Sequence, residues 1–249
     1  MKITVETDTL SSWLSKLITL MPDSNPVIGF ITRSDGALLL ASSIEGEMTG
    51  AVGLAVIQVP DAEVDGEGEF YLSAPFPHLI KASHAQKIIL SYNKRVSIRG
   101  DNGFKASLAV IERSPLPINM IYDLLGLGMQ AYTIVDSNSL LTLIRMSKTM
   151  PAQPPNKLRY IRIHMDDTGL WGDVQGSELG EIEYVPLGGD SSLRLPETLA
   201  FNTDFVQRLS ALMGDSVRIS MPNGRQNVVL FDDPNNSADW KVLLARLFV

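Results

Sequence analysis

Three histidines, His78, His84 and His164, and a few close pairs of acids are the residues with which this chain could do bond-making chemistry. His164-Met165-Asp166-Asp167 holds donors suited to a metal ion, yet Asp166-Asp167-Thr168-Gly169 reads better as a turn, since Asp and Gly favour tight reversals. His78 and His84 stand six apart around a short apolar segment, off the i, i+4 spacing that sets two ligands on one helix face. Gly126-Leu127-Gly128 is a lone G-x-G with no phosphate-binding helix behind it. No G-x-S-x-G, Walker A sequence or H-E-x-x-H occurs. The chain has no cysteine, which removes thiolate nucleophiles, thiolate zinc sites and disulfide frameworks together. Carboxylate pairs such as Glu45/Glu47 and Asp232/Asp233 remain for acid–base work, with no further signature around them. A non-enzyme without metal or cofactor is the reading these residues favour.

The elements that would position any site are mostly short strands. Ile3–Glu6 alternates; Val27–Thr32 and Ala37–Ser42 flank Ser34-Asp35-Gly36, an Asp-Gly hairpin signal. Lys87–Tyr92 and Arg95–Arg99 are joined through Asn93-Lys94, and Asp101-Asn102-Gly103 leads into Phe104–Ile111. Further on come Leu158–Met165 and Leu170–Val174, then Ser216–Met221 and Gln226–Phe231 around Pro222-Asn223-Gly224-Arg225. Strands so close in sequence imply antiparallel sheets.

Four segments follow helical spacing instead. Leu10, Trp13, Leu14, Leu17, Ile18 and Met21 place a helix over Asp8–Met21, with Asp8 or Thr9 as cap and Pro22 as stop. Leu140, Leu141 and Ile144 place another over Ser137–Met150, ended by Pro151. Shorter helices are expected at Ala74–Ser83 and at Asn202–Met213, the latter capped by Asn202 or Thr203 and ended by Gly214.

Length and composition set the frame for these elements. With 249 residues the chain suits two domains, and 45% hydrophobic against 20% charged residues is globular composition. No run approaches the ~18 consecutive apolar residues of a membrane helix. Met1–Leu10 is polar and acidic where a signal peptide has its apolar core, so a cytoplasmic protein is expected. The net charge of −7 argues against a protein coated by nucleic acid, though it leaves room for a local basic face.

The two halves repeat one order: strand, long helix, several strands, short helix, hairpin, final strand. The long helices start at Asp8 and Asp136 and the short ones near Ala74 and Asn202, both 128 apart, with little residue identity between the halves. This divides the chain into domains at 1–113 and 131–249 with a connector at 114–130. The connector is apolar where linkers are usually polar, so it either packs on the domains or lines a site for another protein.

At this point the sequence resembles the DNA sliding clamps, the polymerase processivity factors. The likeness is carried by Met1-Lys2-Ile3-Thr4-Val5-Glu6 and the Leu-rich helix after it, and by Phe70-Tyr71-Leu72-Ser73-Ala74-Pro75 with Leu79-Ile80-Lys81-Ala82. It continues in Lys87–Arg99 with Gly103-Phe104-Lys105-Ala106, and in Leu199-Ala200-Phe201-Asn202 with Asp215–Ser220. The resemblance implies an α+β fold of two tandem clamp-type domains, each with antiparallel sheets outside and two helices inside. Bacterial clamps have three domains per chain and a ring of six, so two domains imply a head-to-tail homotrimer, as in eukaryotic, archaeal and some phage clamps. Phe104–Ile111 and Val228–Phe231 are candidates for pairing between subunits. A phage-encoded protein would act in the host cytoplasm.

What the resemblance implies about sites follows from the ring. Helices line a hole that duplex DNA crosses, held by sequence-independent contacts to phosphate. The four helical segments, counted through Lys87, sum to +4 against −7 for the chain. Lys16, Lys81, Lys87, Arg145, Lys148 and Arg208 are the candidate DNA-binding residues; each is equally at home on a solvated helix face. Ser11, Ser12, Ser15, Thr19, Ser139, Thr142 and Ser147 would suit a face that slides without gripping.

A DNA polymerase and a clamp loader would dock through short peptides in an apolar pocket. The matching positions are Ile44, Met120, Ile121, Tyr122, Leu124, Leu125, Leu127 and Leu247, which packing of the connector explains as well. Leu244-Ala245-Arg246-Leu247-Phe248 is similar to a clamp-binding peptide, but a strand accounts for it more simply. Two other classes stand beside the clamp. A β-rich assembly protein of viral morphogenesis type would polymerise indifferently to DNA, and a carboxylate enzyme would lose turnover on replacing one or two acids.

Overall fold

The computed structural model describes residues 1–21, 27–45, 52–73, 76–112, 119, 121, 126, 129–149, 159–167, 169–174, 182–190, 198–222, 228–236 and 239–245. The chain forms two compact units: Met1–Ile44, Leu54–Leu125 and Ala238–Trp240 make the first, and Glu45–Gly53, Gly126–Ser237 and Lys241–Val249 the second.

The first half of the chain runs β1 (Lys2–Glu6), α1 (Thr7–Leu20), β2 (Val27–Thr32), β3 (Leu38–Glu45), β4 (Val52–Val59), β5 (Glu63–Asp65) and β6 (Gly68–Ser73). It continues through α2 (Phe76–Ala82), β7 (Lys87–Asn93), β8 (Arg95–Gly100) and β9 (Lys105–Ala109). The second half runs β10 (Met129–Asp136), α3 (Ser137–Thr149), β11 (Tyr160–Asp166), β12 (Gly169–Val174), β13 (Ile182–Pro186) and β14 (Leu199–Asn202). There α4 (Thr203–Leu209), β15 (Ser216–Pro222), β16 (Val228–Asp232) and β17 (Trp240–Ala245) follow.

The strand orders establish the duplication more firmly than any residue match. In the first half β1-β7-β8-β9 are neighbours in that order, and in the second β10-β15-β16-β17 repeat it. The other sheets correspond as well, β4-β3-β2-β6 with β13-β12-β11-β14. All registered pairs are antiparallel. Even a single hydrogen bond recurs: the Thr7 amide donates to the Gln86 carbonyl at 2.9 Å, and the Ser137 amide to that of Asp215 at 3.0 Å. Thr7 and Ser137 open the long helices 130 apart, and Phe76 and Thr203 the short ones 127 apart, so the single offset of 128 is corrected by small insertions.

The same stripe holds each long helix to its unit. Thr7, Leu10, Leu14 and Leu17 are buried on α1, and Ser137, Leu140, Ile144 and Ser147 stand at the matching places of α3. The hairpin between β2 and β3 is as the Asp-Gly signal requires: Gly36 sits at φ 83° and the Asp35 carboxylate accepts from the Ala37 amide at 3.1 Å.

The helix starts correct the sequence reading in one case. α1 begins one residue before Asp8, and Glu6 at its cap makes no side-chain cap bond. In α3 Asp136 does cap, its Oδ1 accepting from the Ser139 amide at 2.7 Å, while Asn202 caps α4 by accepting from Asp204 at 2.9 Å. The hydrogen bonds from Ser139 hold the Asp136 carboxyl below the ordinary aspartate range. Such a depressed group stabilises above its unfolded value of about 3.9, and that contribution fades as pH falls through the folded value. Asp136→Ala is therefore expected to cost about 1 kcal/mol at neutral pH, a difference that closes on acidification in urea titrations. Among the described residues no helix is long and apolar enough to cross a membrane.

Candidate nucleic-acid interface

In each unit the two helices pack on one another and turn an outer face to solvent. On α1 that face carries the exposed Asp8, Ser12 and Thr19 and the half-buried Trp13 and Lys16. The Lys16 ammonium lies 4.1 Å from the centroid of the Trp13 ring, one helical turn back, so its cation rests on an aromatic surface. Lys81 is exposed near the end of α2. On α3, Arg145, Met146, Lys148 and Thr149 are exposed, and Lys148 hydrogen-bonds to Gln207 of α4. Arg208 is half-buried beside it on α4.

Five of the six basic candidates thus stand on helices, three of them together in the second unit. Lys87 does not. It opens β7, exposed, with Glu6 and Glu63 oxygens at 3.7 and 3.8 Å, because α2 ends at Ala82 and not near position 87. The helices then carry one surplus positive charge on α2 and two on α3, none on α1 or α4, and +3 in all where the sequence count was +4. The rest of the chain holds −10, which is −7 less +3.

The hydroxyl face needs a larger correction. Ser11 and Ser147 are buried, the latter donating to the Ile144 carbonyl at 2.8 Å and bonded to Thr203 at 3.0 Å. Ser15, Thr19 and Thr142 donate to carbonyls four residues back, which satisfies their hydroxyls within the helix. Of the apolar pocket candidates, Ile121 is buried. Met120, Tyr122, Leu124, Leu125, Leu127, Leu247 and the side chain of Ile44 lie outside the described residues.

Two polar networks in the second unit escaped the sequence reading, because each joins residues on neighbouring strands. Arg218 on β15 grips Asp232 on β16 with two bonds, Nε to Oδ1 at 2.7 Å and Nη2 to Oδ2 at 2.6 Å. Burial pushes the Asp232 carboxyl up and the Lys241 ammonium down, while the hydrogen bond to Asp232 raises the Arg218 guanidinium. Asp232 is therefore half of a structural ion pair. Arg162 on β11 makes a like pair with Asp173 on β12, at 2.7 and 2.9 Å. His164 joins it at 3.0 Å, is bonded to Thr198 at 2.9 Å and stacks on Trp171 with centroids 4.1 Å apart. Among the described residues no group of three or more His, Asp or Glu is placed to hold a metal ion.

No family model matches the chain, and a search of the curated proteins finds no match. Solved structures do match, over its whole length. The β subunit of DNA polymerase III from Thermotoga maritima is 13% identical, with a TM-score of 0.75, and the β sliding clamp of C. crescentus is 16% identical, with a TM-score of 0.72. A Pseudomonas aeruginosa sliding clamp bound to griselimycin is 11% identical, with a TM-score of 0.74. The match takes in 100% of this chain but 65 to 66% of those chains. At these identities what is shared is the fold: two tandem units of the sliding-clamp type.

Proposed function

We propose that this chain, with the fold of the β sliding clamps, is itself a DNA sliding clamp that encircles duplex DNA and tethers a DNA polymerase. The observation that carries the proposal is the repeated strand order, β1-β7-β8-β9 with β4-β3-β2-β6 and again β10-β15-β16-β17 with β13-β12-β11-β14, in a chain that matches clamps from end to end. Two such units supply a third of a six-domain ring, so three chains would close it head to tail. The strands at issue are β9 and β13, each at one end of the order of its sheet. β9 alternates exposed and half-buried residues, as an edge awaiting a partner does. β16, the other strand that the sequence offered for pairing, lies between β15 and β17 and has no edge to give. In this reading Lys16, Lys81, Arg145, Lys148 and Arg208 approach phosphates, and Lys87, tied to two carboxylates on a strand, is left out. Polymerase and loader peptides would bind through apolar residues of the connector at 114–130, with Ile44 and Leu247.

The test joins mass to topology. Light scattering should give about three times 27.3 kDa, and the protein should stay on nicked circular DNA yet run off once the circle is cut. A protein that remains a monomer in the micromolar range, or is held equally by linear DNA, would sink the ring.

A further inference from the structure

The first unit holds a cavity of about 370 Å³ that the clamp reading does not use, lined among others by Glu69, Phe70, Tyr92, Lys94, Ile111 and Glu112. That volume falls in the range of binding pockets. Its ring open to the groove is that of the half-buried Tyr92, which stands 5.5 Å from the core ring of Phe70 at 39°. Its rim is acidic. Glu69 and Glu112 are both exposed, against the single cation of Lys94 on the turn between β7 and β8. Glu69 also ends a run in which Asp61, Glu63, Asp65 and Glu67 precede it with no basic residue between. A field of that sign attracts cations, and an aromatic face adds to their binding.

The floor of the cavity is a strand edge. β6 comes last in the order β4-β3-β2-β6, so one side of it faces away from β2. On that side the Tyr71 carbonyl accepts from the Ile111 amide at 3.0 Å. Antiparallel pairing turns alternate residues the same way, so the amide and carbonyl of Glu69, two residues before Tyr71, also face the cavity side. Backbone groups along an edge, with a side-chain pocket beside them, are what an added strand needs.

We propose that this groove binds an extended segment of a partner protein, which pairs with β6 at Glu69 and seats a lysine or arginine against Tyr92 between Glu69 and Glu112. The occupant is basic because the rim carries two carboxylates to one ammonium and adjoins the acidic run. It is extended because the floor is strand edge. Its test needs neither DNA nor a trimer.

The probe is a fluorescein-labelled octapeptide of alternating Val and Arg, titrated into the full chain by anisotropy, with alternating Val and Glu as comparator. Glu69→Gln with Glu112→Gln should weaken binding about fivefold, as removal of two exposed carboxylates would. Lys94→Glu, a change on a turn that leaves the core alone, should tighten it by a similar factor of about five. Asp61→Asn with Asp65→Asn, which removes as much charge outside the groove, should change it less than about twofold at ~0.15 M salt. The Glu69 amide should become protected from hydrogen exchange when the peptide binds. Equal weakening by the Asp61/Asp65 pair would reduce the effect to diffuse attraction and overturn the proposal. So would an unaltered Glu69 amide, tighter binding of the Val-Glu peptide, or peptide binding blocked by self-association, which would give the groove to a second copy.

Discussion

Reversing charge at Arg145 and Lys148 together is expected to shorten retention on circular DNA on the order of fiftyfold at ~0.1 M salt, with fold and mass intact. The size follows from counterion release, since each phosphate no longer neutralised removes nearly one unit from the slope of log affinity against log salt. Both side chains are exposed on α3, and Lys148 has a neutral hydrogen-bond partner in Gln207, so Arg145→Glu with Lys148→Glu leaves no buried charge behind. The salt slope should fall along with the retention time. Matched reversals at Lys2 and Arg99, exposed on β1 and β8, should have a small effect. If those reversals release DNA as readily, net charge and not the helix face governs retention, and the assignment fails.

Arg218→Ala should cost about 3 kcal/mol of unfolding free energy, because it strands a buried carboxylate. The side chain of Asp232 is 2% exposed, against 24% for Arg218, so water cannot replace the two bonds at 2.6 and 2.7 Å. Lys241, opposite Asp232 on β17, compensates only in part, its own charge disfavoured by burial. Removing both partners, in Arg218→Ala with Asp232→Ala, should recover about half the loss, which a double-mutant cycle measures. The pH dependence has a fixed sign. Asp232 has a raised folded value, so its ionised form works against the folded state, and lowering pH through that value lets the carboxyl neutralise. The deficit of Arg218→Ala should therefore be greatest at neutral pH and shrink on acidification. A deficit that grows as pH falls would mean Asp232 is not the group left without its partner.

The elements were legible because their signals are local. Val27–Thr32 emerges with the bounds read beside its Asp-Gly turn, and the leucine spacing of α1 and α3 places both helices within a residue or two. A period of two or 3.6 is set by the backbone alone and needs no knowledge of partners. The likeness of the halves was legible too, as an order of elements with nearly constant spacing.

What the chain could not disclose was anything settled across strands. Asp232 in the sequence is one of two adjacent acids; in the fold it lies opposite Arg218 and Lys241 on its neighbouring strands and is half of an ion pair. Lys87 opens a strand in the sequence reading yet is tallied with the helix before it in the charge count; pairing with β1 holds it on β7, apart from the helix face. Ser11 and Ser147 looked like surface, yet both are buried, Ser147 against Thr203 at the start of α4. The sequence by itself determined the kinds of element, their order and their doubling, all of which depend on neighbours a few residues away. Which strands stand side by side, and so which charges meet, which serines are buried and where a groove opens on β6, was decided by tertiary pairing. Register and strand order are chosen by burial summed over whole sheets, and no short window of residues contains that sum.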